Sequence, residues 1–189
     1  RTLLNMGLCY AMTGKIDQAL ECHSEALLIF RTTQGPLSSM TIKTCFQIAL
    51  LKSIQGDTSA AERGYREVID LLENIPGKKQ ERRIADAWAQ LASIYRSQYE
   101  YGFAAAAYVE AISLWERLDG PCKDPNVCRL LVALAIVRQQ NNEIDKAIDS
   151  YQQLIGIKRQ HLGKRHVSIG ETLCLVASLQ REQGDFDAA

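Results

Sequence analysis

The chain has 189 residues, 47% of them hydrophobic, and its 22 basic and 22 acidic side chains give a formal net charge of zero. This balance lacks the electrostatic footprint of a protein that binds nucleic acid. No stretch approaches the length of apolar sequence that spans a membrane, and the first residues do not have the architecture of a signal peptide. We therefore expect a cytoplasmic protein with one domain and no membrane partner.

The spacing of apolar residues and the positions of helix breakers predict nine helices. In chain order they are expected at residues 2–13, 17–33, 38–55, 58–75, 80–98, 101–118, 126–141, 144–161 and 167–183. The short turns within pairs carry Gly14, Gly56, Asn142 and Gly184, residue types that tolerate the left-handed conformation at a helix end. Tyr99 stands in that place in the third pair, so we expect that turn to be altered or its helix to be extended.

One set of small residues recurs at a nearly constant interval along the chain. Ala19, Ala61, Ala104, Ala147 and Ala189 are separated by 42, 43, 43 and 42 residues. Such self-similarity is typical of an array of one repeated helix pair. The repeats are expected at about 1–35, 36–77, 78–120 and 121–163, with an incomplete fifth at 164–189, so the chain is expected to be a piece of a longer protein.

Other positions of the repeat keep the same interval. Four residues after the alanine, a ring recurs in His23, Tyr65, Tyr108 and Tyr151. Before each alanine comes a large residue followed by a small one, in the pairs Met6-Gly7, Ile48-Ala49, Leu91-Ala92, Leu134-Ala135 and Val176-Ala177. A small residue on each helix lets two backbones approach closely. We expect the core to include Met6, Ile48, Tyr65 and Leu71.

This pattern of apolar, small and aromatic residues resembles the tetratricopeptide repeat. The longer period is similar to that of kinesin light chains and nephrocystin-type proteins, whose loops between repeats resemble residues 162–167, Leu-Gly-Lys-Arg-His-Val. The resemblance covers essentially the whole chain. It implies an all-α fold, a right-handed superhelical solenoid of antiparallel helix pairs.

The resemblance also implies a binding face, because the first helices of such arrays line the concave surface. We expect a partner segment to dock on the residues of these helices that would point into the groove: Leu4, Asn5, Leu8, Met12, Phe46, Gln47, Leu50, Ile54, Gln90, Arg96 and Arg129. Leaving the apolar members in water costs ~25 cal/mol per Å2, which favours a bound partner. Asn5 and Gln47 would bond the partner's backbone, and Arg96 and Arg129 would pair with its acidic side chains.

Motifs for chemistry are scarce. The six cysteines include no pair with zinc-ligand spacing, so we expect no metal and no cofactor. Cys9 and Cys45 are expected on packed helix faces, as is His23. Because the chain lacks a nucleophile motif and a phosphate-binding loop, we do not expect an enzyme.

The sequence therefore predicts a scaffold for protein interactions that binds a peptide or helix segment in a groove. The alternative is a regulatory arm whose groove is occupied by another domain of the same protein, controlling an attached ATPase, kinase or motor. Two basic clusters, at 78–83 and 158–166, are expected to be solvated edges rather than sites for RNA or lipid.

Overall fold

The computed structural model describes residues 2–119, 125–163 and 165–184, and within these ranges it contains nine α-helices and no strand. The helices are α1 Thr2–Met12, α2 Ile16–Gln34, α3 Ser39–Gln55, α4 Thr58–Glu73, α5 Lys78–Ser97, α6 Tyr101–Asp119, α7 Pro125–Gln140, α8 Ile144–Leu162 and α9 Val167–Gln183. Each predicted boundary lies within two residues of the observed one, and the all-α repeat fold is confirmed. None of these helices has both the length and the apolar content needed to span a bilayer.

The chain forms two compact units, residues 1–94 and 95–189. In the first unit, α1 packs on α2, α2 on α3 and α3 on α4, and α5 as far as Ile94 belongs to the same unit. In the second unit, α6 packs on α7, α7 on α8 and α8 on α9. Helices α1 to α4 and α6 to α9 therefore pack against their neighbours in the chain, as the helices of repeat proteins do.

The recurrent small residues lie where helices meet. Ala19, Ala61, Ala104 and Ala147 have no exposed surface, which confirms their predicted burial; Ala189 lies outside the described residues. The pairing of a small residue on each helix is visible between α3 and α4, where a Cβ added at Gly64 would lie 2.8 Å from the Cβ of Ala49. Nothing larger than glycine fits there without movement of a helix.

The predicted core is only partly correct. Tyr65 is fully buried, but Met6 is 44% exposed, and its assignment to the core is wrong. The reason is the rotation of α1, which turns Gly7 toward α2 so that a Cβ there would lie 2.9 Å from Nε2 of His23. Since successive helical residues point about 100° apart, Met6 faces away from this contact. Leu4 is buried instead and clusters with Ala26 and Phe30.

The turn at Tyr99 also differs from its prediction. Helix α5 ends at Ser97 and α6 begins at Tyr101, so the joint is as short as in the other pairs. Tyr99 adopts a left-handed φ of 62°, beside 88° at Gly56. The amide of Glu100 donates to the carbonyl of Tyr95 at 2.9 Å, and Asp57 makes the equivalent bond at 3.0 Å. The joint therefore has the geometry of the glycine joints, although a left-handed φ is uncommon for a residue such as tyrosine.

Candidate partner-binding site

The larger of two neighbouring cavities in the first unit lies among α1, α2 and α3 and has a volume of about 300 Å3. Its lining comes from all three helices: Leu4, Asn5, Leu8, His23, Met40, Lys43 and Gln47. Leu4 and Leu8 are one helical turn apart, as are Lys43 and Gln47, so each pair lies on one face of its helix. Both α1 and α3 contribute apolar side chains to the lining, and the hydrogen-bond donors are the amides of Asn5 and Gln47 and the ammonium group of Lys43.

His23 is the buried polar group of this cavity, with 1% of its surface exposed. Neither ring nitrogen has a hydrogen-bond partner in the part of the chain that the structure describes. Burial lowers the pKa of His23 below its usual value, so the imidazole is neutral at neutral pH. An unpaired buried polar group is costly, and the ring of His23 also forms part of the cavity lining.

A smaller cavity of about 130 Å3 is lined by Lys43, Phe46, Arg83 and Asp86. Phe46 is half-buried, and its ring packs edge-on against Tyr65 with centroids 5.3 Å apart and an interplanar angle of 73°. Burial lowers the pKa of Arg83. Lys43 lines both cavities, so the two adjoin along α3.

The structure places five of the predicted binding residues in these cavities and the others elsewhere. The five are Leu4, Asn5, Leu8, Phe46 and Gln47. Four residues of the first unit line neither cavity; Met12 and Ile54 are exposed, and Leu50 and Gln90 are half-buried. In the second unit Arg96 and Arg129 are exposed and lower the pKa of Tyr108, although burial raises it more.

Sequence reasoning did not include His23, Met40 or Arg83 in the binding site. His23 was expected to be packed, which its burial confirms, but its place at a cavity was not foreseen. A signal was present in the sequence, because histidine replaces tyrosine in this position of the repeat while Gly7 replaces the alanine of other copies. Met40 and Arg83 carry no comparable signal.

The second basic cluster, residues 158–166, makes hydrogen bonds to α9 through two of its described residues. Lys158 is half-buried and donates to the carbonyl of Ser168 at 2.9 Å and to Oγ1 of Thr172 at 2.8 Å. The ring of His166 accepts from the amide of Ser168 and caps α9. Lys164, which belongs to the same cluster, lies outside the described residues. Lys158 and His166 therefore hold α9 in place.

The cysteines agree in part with their prediction. Cys45 is buried, and burial raises the pKa of its thiol. Cys9 is exposed on α1, so its expected packing is wrong, again because Gly7 and Leu4 take the inward face. Over residues 2–119, 125–163 and 165–184, no cluster of His, Cys, Asp and Glu could hold a metal ion.

Comparison with known proteins agrees with this architecture. Two family models described as Tetratricopeptide repeat match residues 1–74 and residues 130–165. Together with the paired helices, these matches define the class: the chain belongs to the tetratricopeptide repeat superfamily. Within it, the repeats are similar to those of kinesin light chains.

The kinesin light chain likeness comes from one curated relative and from solved structures. Protein KINESIN LIGHT CHAIN-RELATED 2 of Arabidopsis thaliana is 22% identical over 181 residues, which are 96% of this chain and 27% of that protein. The chain thus spans about a quarter of the relative's length. A putative kinesin light chain with nearly identical TPR-like repeats, from Podosopora anserina, is 16% identical with a TM-score of 0.79, covering 97% of this chain and 86% of that one. BtubC (BKLC) from P. vanneervenii is 19% identical with a TM-score of 0.77, over 97% and 72% of the chains.

Proposed function

We propose that the chain is a protein-interaction module that binds a peptide or helix segment of a partner in the adjoining cavities of its first unit, without catalysing a reaction. The observation that carries this proposal is the continuous lining along α3, where Lys43 joins an apolar cavity to a second one beside Phe46. A groove of this kind accommodates side chains from one face of a docked segment. Membership of the tetratricopeptide repeat superfamily supports the same class of function.

Leu8 is the best residue for testing the groove. Phe46 packs on the buried Tyr65, so a charge at Phe46 would disturb the core as well as the groove. Leu8 lines the larger cavity and is 39% exposed, so its replacement leaves the core intact. Ile29 on α2 is an aliphatic control of similar exposure, 44%, that lines neither cavity.

The experiment selects binders from a library of short random peptides displayed on phage and measures their dissociation constants by fluorescence anisotropy. For a segment that buries Leu8, Leu8→Asp is expected to weaken binding about tenfold or more, since a buried leucine contributes about 1.5–3 kcal/mol. Ile29→Asp should leave the constants unchanged, and both variants should keep their helical circular dichroism. Equal binding by wild type and Leu8→Asp would refute the groove as the binding site.

A further inference from the structure

The position four residues after the recurrent alanine holds histidine in the first copy of the repeat and tyrosine in the next three. Tyr65, Tyr108 and Tyr151 fill this position in the other copies, all buried, and burial raises the pKa of each phenol further from neutrality. His23 is equally buried, but an imidazole gains and loses its proton close to neutral pH. Among these four rings, only His23 can change its charge in the physiological range.

The charges around His23 favour an anion. From α3, Lys43 is the charged residue of the cavity, and α1 contributes no charged residue over its whole length. Neither Asp nor Glu belongs to the lining, whereas the amides of Asn5 and Gln47 can donate hydrogen bonds. Helices α1, α2 and α3 carry other titratable side chains about one helical turn from the lining residues, but none of these side chains lines the cavity. They are Cys9, Tyr10, Glu21, Cys22, Glu25 and Cys45.

We propose that the larger cavity binds an acidic side chain of a partner segment, and that His23 takes up a proton from solvent to pair with this carboxylate. The inference rests on the proposed function, because it assigns a chemistry to the same groove. Leu4, Leu8 and Met40 then cover the apolar atoms next to the carboxyl group. The carboxylate accepts a hydrogen bond from one ring nitrogen of an imidazole that has no hydrogen-bond partner among the described residues of the free protein.

Proton uptake makes the affinity depend on pH in one direction. Burial lowers the pKa of His23 in the free protein, and a bound carboxylate raises it. The affinity therefore increases as the pH falls through the pKa of the bound state, and it levels off below the pKa of the free state. Each unit of difference between the two pKa values contributes up to about tenfold in the dissociation constant.

The test uses the full chain and acidic peptides recovered from the random library whose binding is lost in Leu8→Asp. For wild type, the dissociation constant is expected to fall about tenfold between about pH 8 and about pH 6. His23→Gln should abolish this dependence, and His161→Gln, at an exposed histidine of α8, should keep it. Replacing the peptide's Glu or Asp by the amide should weaken binding and remove the dependence.

A measurement on the unaltered protein guards against loss of folding in His23→Gln. The ring protons of His23, followed by NMR, should report a higher pKa with the acidic peptide bound than without it. Peptides that require Leu8 but contain no acidic residue, or that bind with no pH dependence, overturn this inference and leave the proposed function standing. Peptides that bind Leu8→Asp as well as wild type refute the proposed function and this inference with it.

Discussion

The first helix pair of the first unit, α1 with α2, and the second, α3 with α4, use one glycine each for different purposes. In the second pair Gly64 lies against Ala49, so two backbones meet closely and the nearby Tyr65 is fully enclosed. In the first pair Gly7 lies against the ring of His23, which borders a cavity. Close helix approach thus encloses Tyr65 in one copy, whereas in the other it places the ring of His23 at the edge of a cavity.

The comparison shows how an array can keep one backbone plan while it changes chemistry from copy to copy. The alanines Ala19 and Ala61 are both fully buried, so the two pairs share the contact that fixes the spacing of their helices. What differs is the ring and its neighbours. The two pairs thus differ in the ring and in the residues beside it, Gly7 against Ala49 and Cys22 against Gly64, and not in the fold.

The largest expected effect is a loss of stability, and it tests whether the α1–α2 pair is packed as closely as the α3–α4 pair. Ala61→Leu should destabilise the protein by about 1–3 kcal/mol, because three added carbons have no room at a fully buried position. Ala19→Leu should cost a similar amount, as measured by urea denaturation, with the exposed Ala106→Leu as the control. A much smaller cost for Ala19→Leu would show that the first pair is loosely packed and would break the comparison.

A smaller effect on the free energy of unfolding is expected to distinguish Gly64 from Gly7. Gly64→Ala should destabilise by about 1 kcal/mol or more, because the added methyl meets the Cβ of Ala49, which cannot rotate away. Gly7→Ala should cost less, since its methyl meets a side-chain ring. Gly156→Ala is the matched control, at a helical glycine with nothing within 4 Å, and should stabilise by about 0.5–1 kcal/mol. Thermal melts in which Gly7→Ala lowers the melting temperature more than Gly64→Ala does would contradict this order.

The smallest expected effect is the response of stability to pH. His23 has a lowered pKa in the folded state, so the unfolded chain binds more protons below about pH 6.5. Stability is therefore fully present above that pH and is lost as the pH falls toward the folded-state pKa. In urea titrations His23→Gln should reduce this loss, while His161→Gln should not. If the two variants lose stability in parallel, His23 does not titrate as its burial requires.

The fold could be predicted because its signals are local and repeated. Apolar periodicity and turn residues predict the nine helices of the described ranges, and the recurrent alanines predict where helices meet. The rotation of α1 could not be predicted in the same way, since Met6 and Gly7 fit the pattern of large then small in either orientation. Only the contact between Gly7 and His23 decides which of the two faces inward.

The candidate site was predictable to a lesser degree. Repeat position assigns Leu8 and Gln47 to the groove, because first helices line it in this superfamily. It does not indicate how far each side chain is covered by its own core, and Leu4 is both a buried residue and part of the cavity lining. Arg83 requires knowledge of how α5 lies against α3, which helix periodicity alone does not contain.

Tyr99 shows that the joint between two helices of a repeat can keep its geometry when its residue type changes. Its left-handed backbone is the same as that of the glycines in other joints, and the helices on either side begin and end as they do elsewhere. The two family matches cover residues 1–74 and residues 130–165, and Tyr99 lies outside both ranges. The left-handed turn of a joint therefore does not require glycine, so the copies of this array are counted more reliably by their helices than by their glycines.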